Sequence, residues 1–137
     1  MANRMEIQTK GLEELIERID KSGGDIKQAV NQALTKGKQA IQPDIEEAIA
    51  RHRRTGRTEA SLDQDMHVTW DGTVGSLEIG FHIRKGGLPS IFLMYGTPRM
   101  QPDKKLYNAI YGPTARRKAK EAEEEALSDF MKKLTGG

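Results

Sequence analysis

Cysteine is absent from the 137 residues, which excludes a disulfide framework and any cysteine-ligated zinc or iron–sulfur centre. Aromatic residues are scarce: three Phe, three Tyr and one Trp. Leu, Ile, Val and Phe together supply 27 residues, about 20% of the chain, which is the margin at which chains stop folding alone. A domain of this length must still bury about two thirds of the surface its unfolded chain exposes. Part of that burial is therefore expected from a partner, and the chain reads as a subunit. No window approaches the roughly 18 uninterrupted apolar residues of a membrane helix, and Met1 to Met5 lack the apolar core of a secretory signal. The expected setting is cytosolic. An excess of one charge is missing too: 22 Lys and Arg against 20 Asp and Glu leave +2, too little for the bulk electrostatics of a dedicated nucleic-acid binder.

What is present is periodic. Met5 to Gln8 alternates as a short strand, and Leu12, Leu15, Ile16 and Ile19 form a helical stripe that Ser22-Gly23-Gly24 ends. Asp25 is a good N-cap for the most secure element, a helix whose apolar face carries Ile26, Ala29, Val30, Ala33, Leu34, Gly37, Ala40 and Ile41. Gly37 on that face permits close approach of another backbone. Pro43 kinks or restarts the helix, with Ile45, Ala48 and Ile49 continuing the face. Beyond Asp63 the period changes to two: Met66, Val68 and Trp70, a hairpin turn at Asp71-Gly72, then Val74, Leu77, Ile79, Phe81 and Ile83, with Gly75 as a bulge or early turn residue. Lys85-Gly86-Gly87 forms a second turn. Leu88 to Tyr95 is read as a short helix, with Pro89 in its first turn and Gly96 as its stop. Asp103 caps another short helix carrying Leu106, Ala109 and Ile110. A last helix runs from Thr114 to about Leu134, with an expected seam of Ala115, Ala119, Ala122, Ala126, Phe130 and Leu134. The expectation is one α+β domain over residues 1–137: a twisted antiparallel sheet with a hairpin, packed against one long helix, plus short helices and a C-terminal helix extended for assembly.

Arg51, His52, Arg53, Arg54 and Arg57 place five basic groups within seven residues, enough to neutralise several phosphates. No aromatic residue is interleaved to stack on bases, and no recognition helix is evident. A solvated helix end, where cations favour the C-terminal dipole, and an ion-paired subunit contact are the competing readings. His67 and His82 flank apolar strand positions and alternate toward solvent, and no third ligand lies near them in sequence, so no metal is expected. Asp63 and Asp65 read as turn residues before a strand. Neither a nucleophile elbow, a phosphate-binding loop nor a dinucleotide fingerprint occurs, so no catalytic residue, no cofactor and no enzyme activity is expected. The terminal helix sets Arg116, Arg117, Lys118 and Lys120 ahead of Glu121, Glu123, Glu124 and Glu125. Arg117 with Glu121 and Lys120 with Glu124 suit i, i+4 pairing, and the two blocks suit head-to-tail contact between copies.

The order Thr55-Gly56-Arg57, Ser61-Leu62, a hairpin, Tyr95-Gly96-Thr97 and a short helix with Leu106 and Ala109-Ile110 resembles the small neck, or tail-completion, proteins of long-tailed bacteriophages. Met94 stands where that family often has an acid, and Lys104-Lys105 where it often has Pro-Phe. The resemblance implies a structural virion protein at the head-tail junction or in the tail, made in the host bacterial cytoplasm. It further implies a homo-oligomeric ring that meets other neck, connector or tail proteins and is compatible with a monomer in isolation. Arg51, Arg53, Arg54, Arg57, Tyr95, Gly96, Thr97, Pro98 and Arg99 are the expected assembly or DNA-facing residues, with non-specific contact to passing DNA and no membrane. The alternative is a nucleic-acid-binding module that uses the Arg51–Arg57 run.

Overall fold

The computed structural model describes residues 4–9, 11–52, 57–71, 74–82 and 86–136. In chain order the elements are β1 (Arg4–Gln8), α1 (Glu13–Lys21), α2 (Ile26–Ala50), α3 (Arg57–Ala60), β2 (Thr69–Asp71), β3 (Val74–Gly80), α4 (Leu88–Tyr95), α5 (Lys104–Tyr111) and α6 (Pro113–Leu134). The three strands form an antiparallel sheet in the order β1-β3-β2, and the class is α+β. The chain divides into two compact units, each assembled from separated stretches: residues 1–5, 41–65 and 78–116 in one, and 6–40, 66–77 and 117–137 in the other.

The unit containing α1 has a helical core of Leu12, Ile19, Ala29, Ala33 and Leu127, against which Leu15, Ile16, Ala126, Phe130, Met131 and Leu134 pack. The spacing of Leu12, Leu15, Ile16 and Ile19 explains α1, and Gly23, at φ +82°, supplies the left-handed residue that ends it. The Gly24 amide then donates to the Ile19 carbonyl at 2.9 Å. In α2 the buried positions of this unit are Ala29, Val30, Ala33, Leu34, Gly37 and Lys38, while Ile26 is only half-buried. Of the expected α6 seam, Ala115 and Ala119 are buried and Ala126, Phe130 and Leu134 pack in part on the core, but the seam also takes in Glu123 and Leu127, which were not expected there. Ala119, Glu123 and Leu127 are buried, whereas Ala122, Ala126, Phe130 and Leu134 are half-exposed. The seam's most buried line is a four-residue ridge, the row by which helices most often interdigitate, and it leaves Ala122 at the edge. Gly37 explains the close approach: a Cβ there would lie 3.1 Å from Glu123 Cγ and 3.4 Å from the Ala119 carbonyl oxygen.

The hairpin of this unit is in register Thr69↔Ser76, Trp70↔Gly75 and Asp71↔Val74, which leaves a two-residue connection at 72–73, outside the described residues. Gly75 is neither a bulge nor a turn residue. It pairs in regular register, and its missing side chain admits Val30 of α2, whose Cγ1 would stand 2.9 Å from a Cβ. This contact packs the hairpin against the long helix.

The second compact unit buries Ile41, Ile45, Ala48 and Ile49 of α2 with Leu62, Ile79, Phe81, Met94, Leu106 and Ile110. Pro43 neither ends nor restarts α2, which is one helical run of 25 residues. Strand pairing here begins earlier than the alternation beyond Asp63 suggested. Leu62 bridges Phe81, the Asp63 amide donates to the Gly80 carbonyl at 2.7 Å, and the His82 amide to the Ser61 carbonyl at 2.8 Å. The four-residue α3 was not anticipated. Ile83 and Lys85 lie outside the described residues.

Candidate functional site

The basic run begins where α2 stops. Arg51 and His52 form a turn in which the His52 amide donates to the Ile49 carbonyl at 2.9 Å. Both side chains reach Asp103: Arg51 Nη2 lies 3.0 Å from Oδ1 and 2.8 Å from Oδ2, and His52 Nε2 lies 2.5 Å from Oδ2. The same carboxylate caps α5 by accepting from the Leu106 amide at 3.1 Å, while the Asp103 amide donates to the Leu93 carbonyl of α4 at 2.6 Å. Asp103 thus ties the end of α2 to α4 and to the start of α5. Partial burial raises its pKa, but the hydrogen bonds from His52 and Leu106 and the nearby positive charges outweigh that, and the carboxyl titrates below its ordinary value.

This knot changes the reading of the arginines. Arg51 is committed to an internal carboxylate. Lys105 on α5 is likewise paired, with Glu47 of α2 at 3.5 Å. Arg53 and Arg54 lie outside the described residues, and Arg57 opens α3 with only its backbone described.

The segment Tyr95 to Arg99 follows α4. Gly96 stops the helix at φ +78°, donating to the Phe92 carbonyl at 2.8 Å, and a Cβ there would come within 2.9 Å of the Met100 carbonyl oxygen and of Pro102. Only glycine fits. Thr97 and Met100 exchange amide–carbonyl bonds of 2.9 and 3.1 Å, which closes a tight turn through Pro98 and Arg99, and Thr97 Oγ1 accepts from the Arg99 amide at 3.2 Å. Thr97, Pro98 and Arg99 are exposed at this corner.

Beside the turn stands a cluster of tyrosines. Tyr95 and Tyr107 meet edge to face with centroids 5.7 Å apart, and Tyr107 and Tyr111 lie 5.1 Å apart at 38°. Burial, together with the neighbouring tyrosines and a hydrogen bond that the Tyr111 hydroxyl donates to Tyr95, pushes the Tyr111 phenol up to about 12. The exposed large apolar side chains of the described residues are Leu88, Phe92, Tyr95, Met100 and Tyr107, all on or between α4 and α5. Among the sequence candidates, the fold therefore brings Arg51 and the Tyr95–Arg99 turn to connected positions through Asp103. Sequence reasoning gave Asp103 only a capping role and passed over Leu88, Phe92 and Tyr107. The signal was available, because Leu88, Phe92 and Tyr95 fall at i, i+4 and i+7 once the segment is read as a helix.

Elsewhere the chemistry is sparse. His82 Nε2 lies 3.7 Å from Asp63 Oδ2, and Asp63 Oδ1 accepts from the Asp65 amide at 2.7 Å, which makes the pair of aspartates a turn as expected. Among the described residues no group of three His, Asp or Glu is placed to hold a metal ion, and no helix is long and apolar enough to cross a membrane. An open groove of about 460 Å³ runs between α2 and α6, lined by polar side chains such as Asn31, Thr35, Lys36, Asp129 and Lys133. On α6, Arg117 pairs with Glu121 at 3.9 Å, one of the two expected i, i+4 pairs. Comparison with protein-family models, with curated proteins and with solved structures finds no match for this chain.

Proposed function

We propose that this protein is a structural component of the virion of a long-tailed phage, acting in head-tail joining or tail completion through ring-like assembly with its own copies and with neck, connector or tail proteins. The observation that carries the reading is the confinement, among the described residues, of the large exposed apolar side chains to α4, α5 and the turn between them, the segment that contains the Tyr95-Gly96-Thr97 sequence on which the resemblance rests. Apolar surface gathered in one place and edged by polar residues marks an interaction face. The nucleic-acid reading is weaker, because Arg51 is neutralised by Asp103.

The test is labelled electron microscopy of particles from the phage that carries the gene, with and without the gene. The expected result is label at the head-tail junction or tail of wild-type particles and unjoined or unfinished tails in its absence. Intact, infectious particles lacking the protein would refute the proposal. Tight binding of the purified protein to DNA, with a steep fall on adding salt, would favour the alternative.

A further inference from the structure

Leu88, Phe92 and Tyr95 occupy one face of α4 and are 48%, 46% and 50% exposed, and Met100 (40%) and Tyr107 (37%) extend that face across the turn to α5. Each aromatic side chain carries about 150–250 Å², so the face offers on the order of 400 Å² of apolar surface. A standard interface buries about 800 Å² on each partner. The face is thus the core of a contact whose rim must be polar.

The rim has one sign. Helix α4 carries no charged residue, the Asp103 carboxylate is taken by Arg51 and His52, and Glu47 is taken by Lys105. Arg99 and Lys104 are exposed and make no ion pair with any described residue. The complement exists in the same chain. From Glu121 to Asp129, α6 has no cation, and Glu124, Glu125 and Asp129 are exposed without an ion pair to a described residue. Beside these acids lie Ala122, which is half-exposed, and Ala126, which packs in part on the core of its own unit. The cations that edge the apolar face and this run of acids are complementary in charge.

We propose that the α4–α5 face of one copy docks on the Glu121–Asp129 stretch of α6 of a second copy. This inference rests on the assembly reading and names the two surfaces involved. The contact is heterologous, one patch meeting a different patch, which is the kind that propagates into rings or filaments. A single-stranded nucleic acid fits the face less well. Its tyrosines pack edge-on and tilted against one another at 75° and 38°, so they do not present free parallel rings, and two of the cations around it, Arg51 and Lys105, are already paired.

The experiment uses two variants of the full chain. One, Phe92→Ser with Tyr95→Ser, removes the face; the other, Glu125→Lys with Asp129→Lys, reverses the acidic edge. Sedimentation of the wild type should show association that grows with concentration and weakens with salt. Each variant alone should remain monomeric, with apparent affinity lowered at least tenfold. An equimolar mixture should form a 1:1 pair and nothing larger, because each variant retains the surface that the other lacks, and this regain shows that both are folded. Variants that assemble like the wild type would overturn the choice of surfaces while leaving the assembly reading in place. A wild type and a mixture that both stay monomeric would overturn the inference, with the assembly reading still judged by particle labelling. Capture of a single-stranded oligonucleotide by the wild type, lost in the Phe92/Tyr95 variant, would overturn it in favour of nucleic acid.

Discussion

Glu123 offers the sharpest check on the packing of α6. It is 3% exposed, its Oε1 has no hydrogen-bond partner, and it sits on the buried ridge between Ala119 and Leu127, with its stem against the space left by Gly37. Burial pushes its pKa from 4.5 up to about 7, helped by Glu124 and opposed by Lys120. The folded state therefore holds the proton more tightly than the unfolded chain. The contribution is fully present below the unfolded value and is lost as pH rises through the folded one. At 1.36 kcal/mol per unit, ionisation of Glu123 should cost the folded state roughly 2–3 kcal/mol by about pH 7.5. Glu123→Gln cannot ionise. Whatever its amide costs in that site is nearly the same at every pH, so the stability difference between variant and wild type isolates the charge. That difference should move in favour of the variant by roughly 2–3 kcal/mol between about pH 4.5 and pH 7.5, measured by urea unfolding at each pH. In thermal melts the shift is about 4 °C per kcal/mol. A difference that is the same at both pH values would show that Glu123 reaches water, and would refute the burial argument.

Asp103→Ala removes a helix cap and the partner of two basic side chains. A cap contributes about 1 kcal/mol and exposed ion pairs a few tenths, so a loss of about 1–2 kcal/mol is expected near neutrality. Because its folded pKa is lowered, the gap should close as pH falls through that value, and thermal melts near neutrality and at about pH 2 should show it closing. Gly75→Ala places a Cβ 2.9 Å from Val30 Cγ1 and 3.4 Å from Trp70 and Val68. Val30 is stiff at χ1, so overpacking should cost about 1–3 kcal/mol in chemical unfolding. An unchanged midpoint would mean that the hairpin does not press on α2.

Local chemistry was legible wherever a residue's role depends on its near neighbours. Asp103 as a cap, Gly96 as a stop and Ser22-Gly23-Gly24 as a break all follow from turn and cap preferences that operate over three or four residues; the hairpin follows too, one residue off, since Asp71 of the expected Asp71-Gly72 turn pairs with Val74. So does the α+β class, because the period changes from 3.6 to two and back. The candidate turn at Tyr95 to Arg99 was also readable, since a glycine between an apolar helix and two prolines has few other uses.

What needed the tertiary structure was every pairing between distant residues. No local rule sends Arg51 and His52 to Asp103 or starts strand pairing at Leu62. Nor could local pattern show that Gly75 exists for Val30, or that α6 buries Glu123 in preference to Ala122. A helix with alanines on adjacent stripes can turn either toward its neighbour at little cost in apolar area. The choice falls to shape at the contact, here the hollow at Gly37. Exposure was decided in the same way: the face formed by Leu88, Phe92 and Tyr95 is apolar in any reading, but only the packing of α4 through Ser90 and Met94 leaves it open to water.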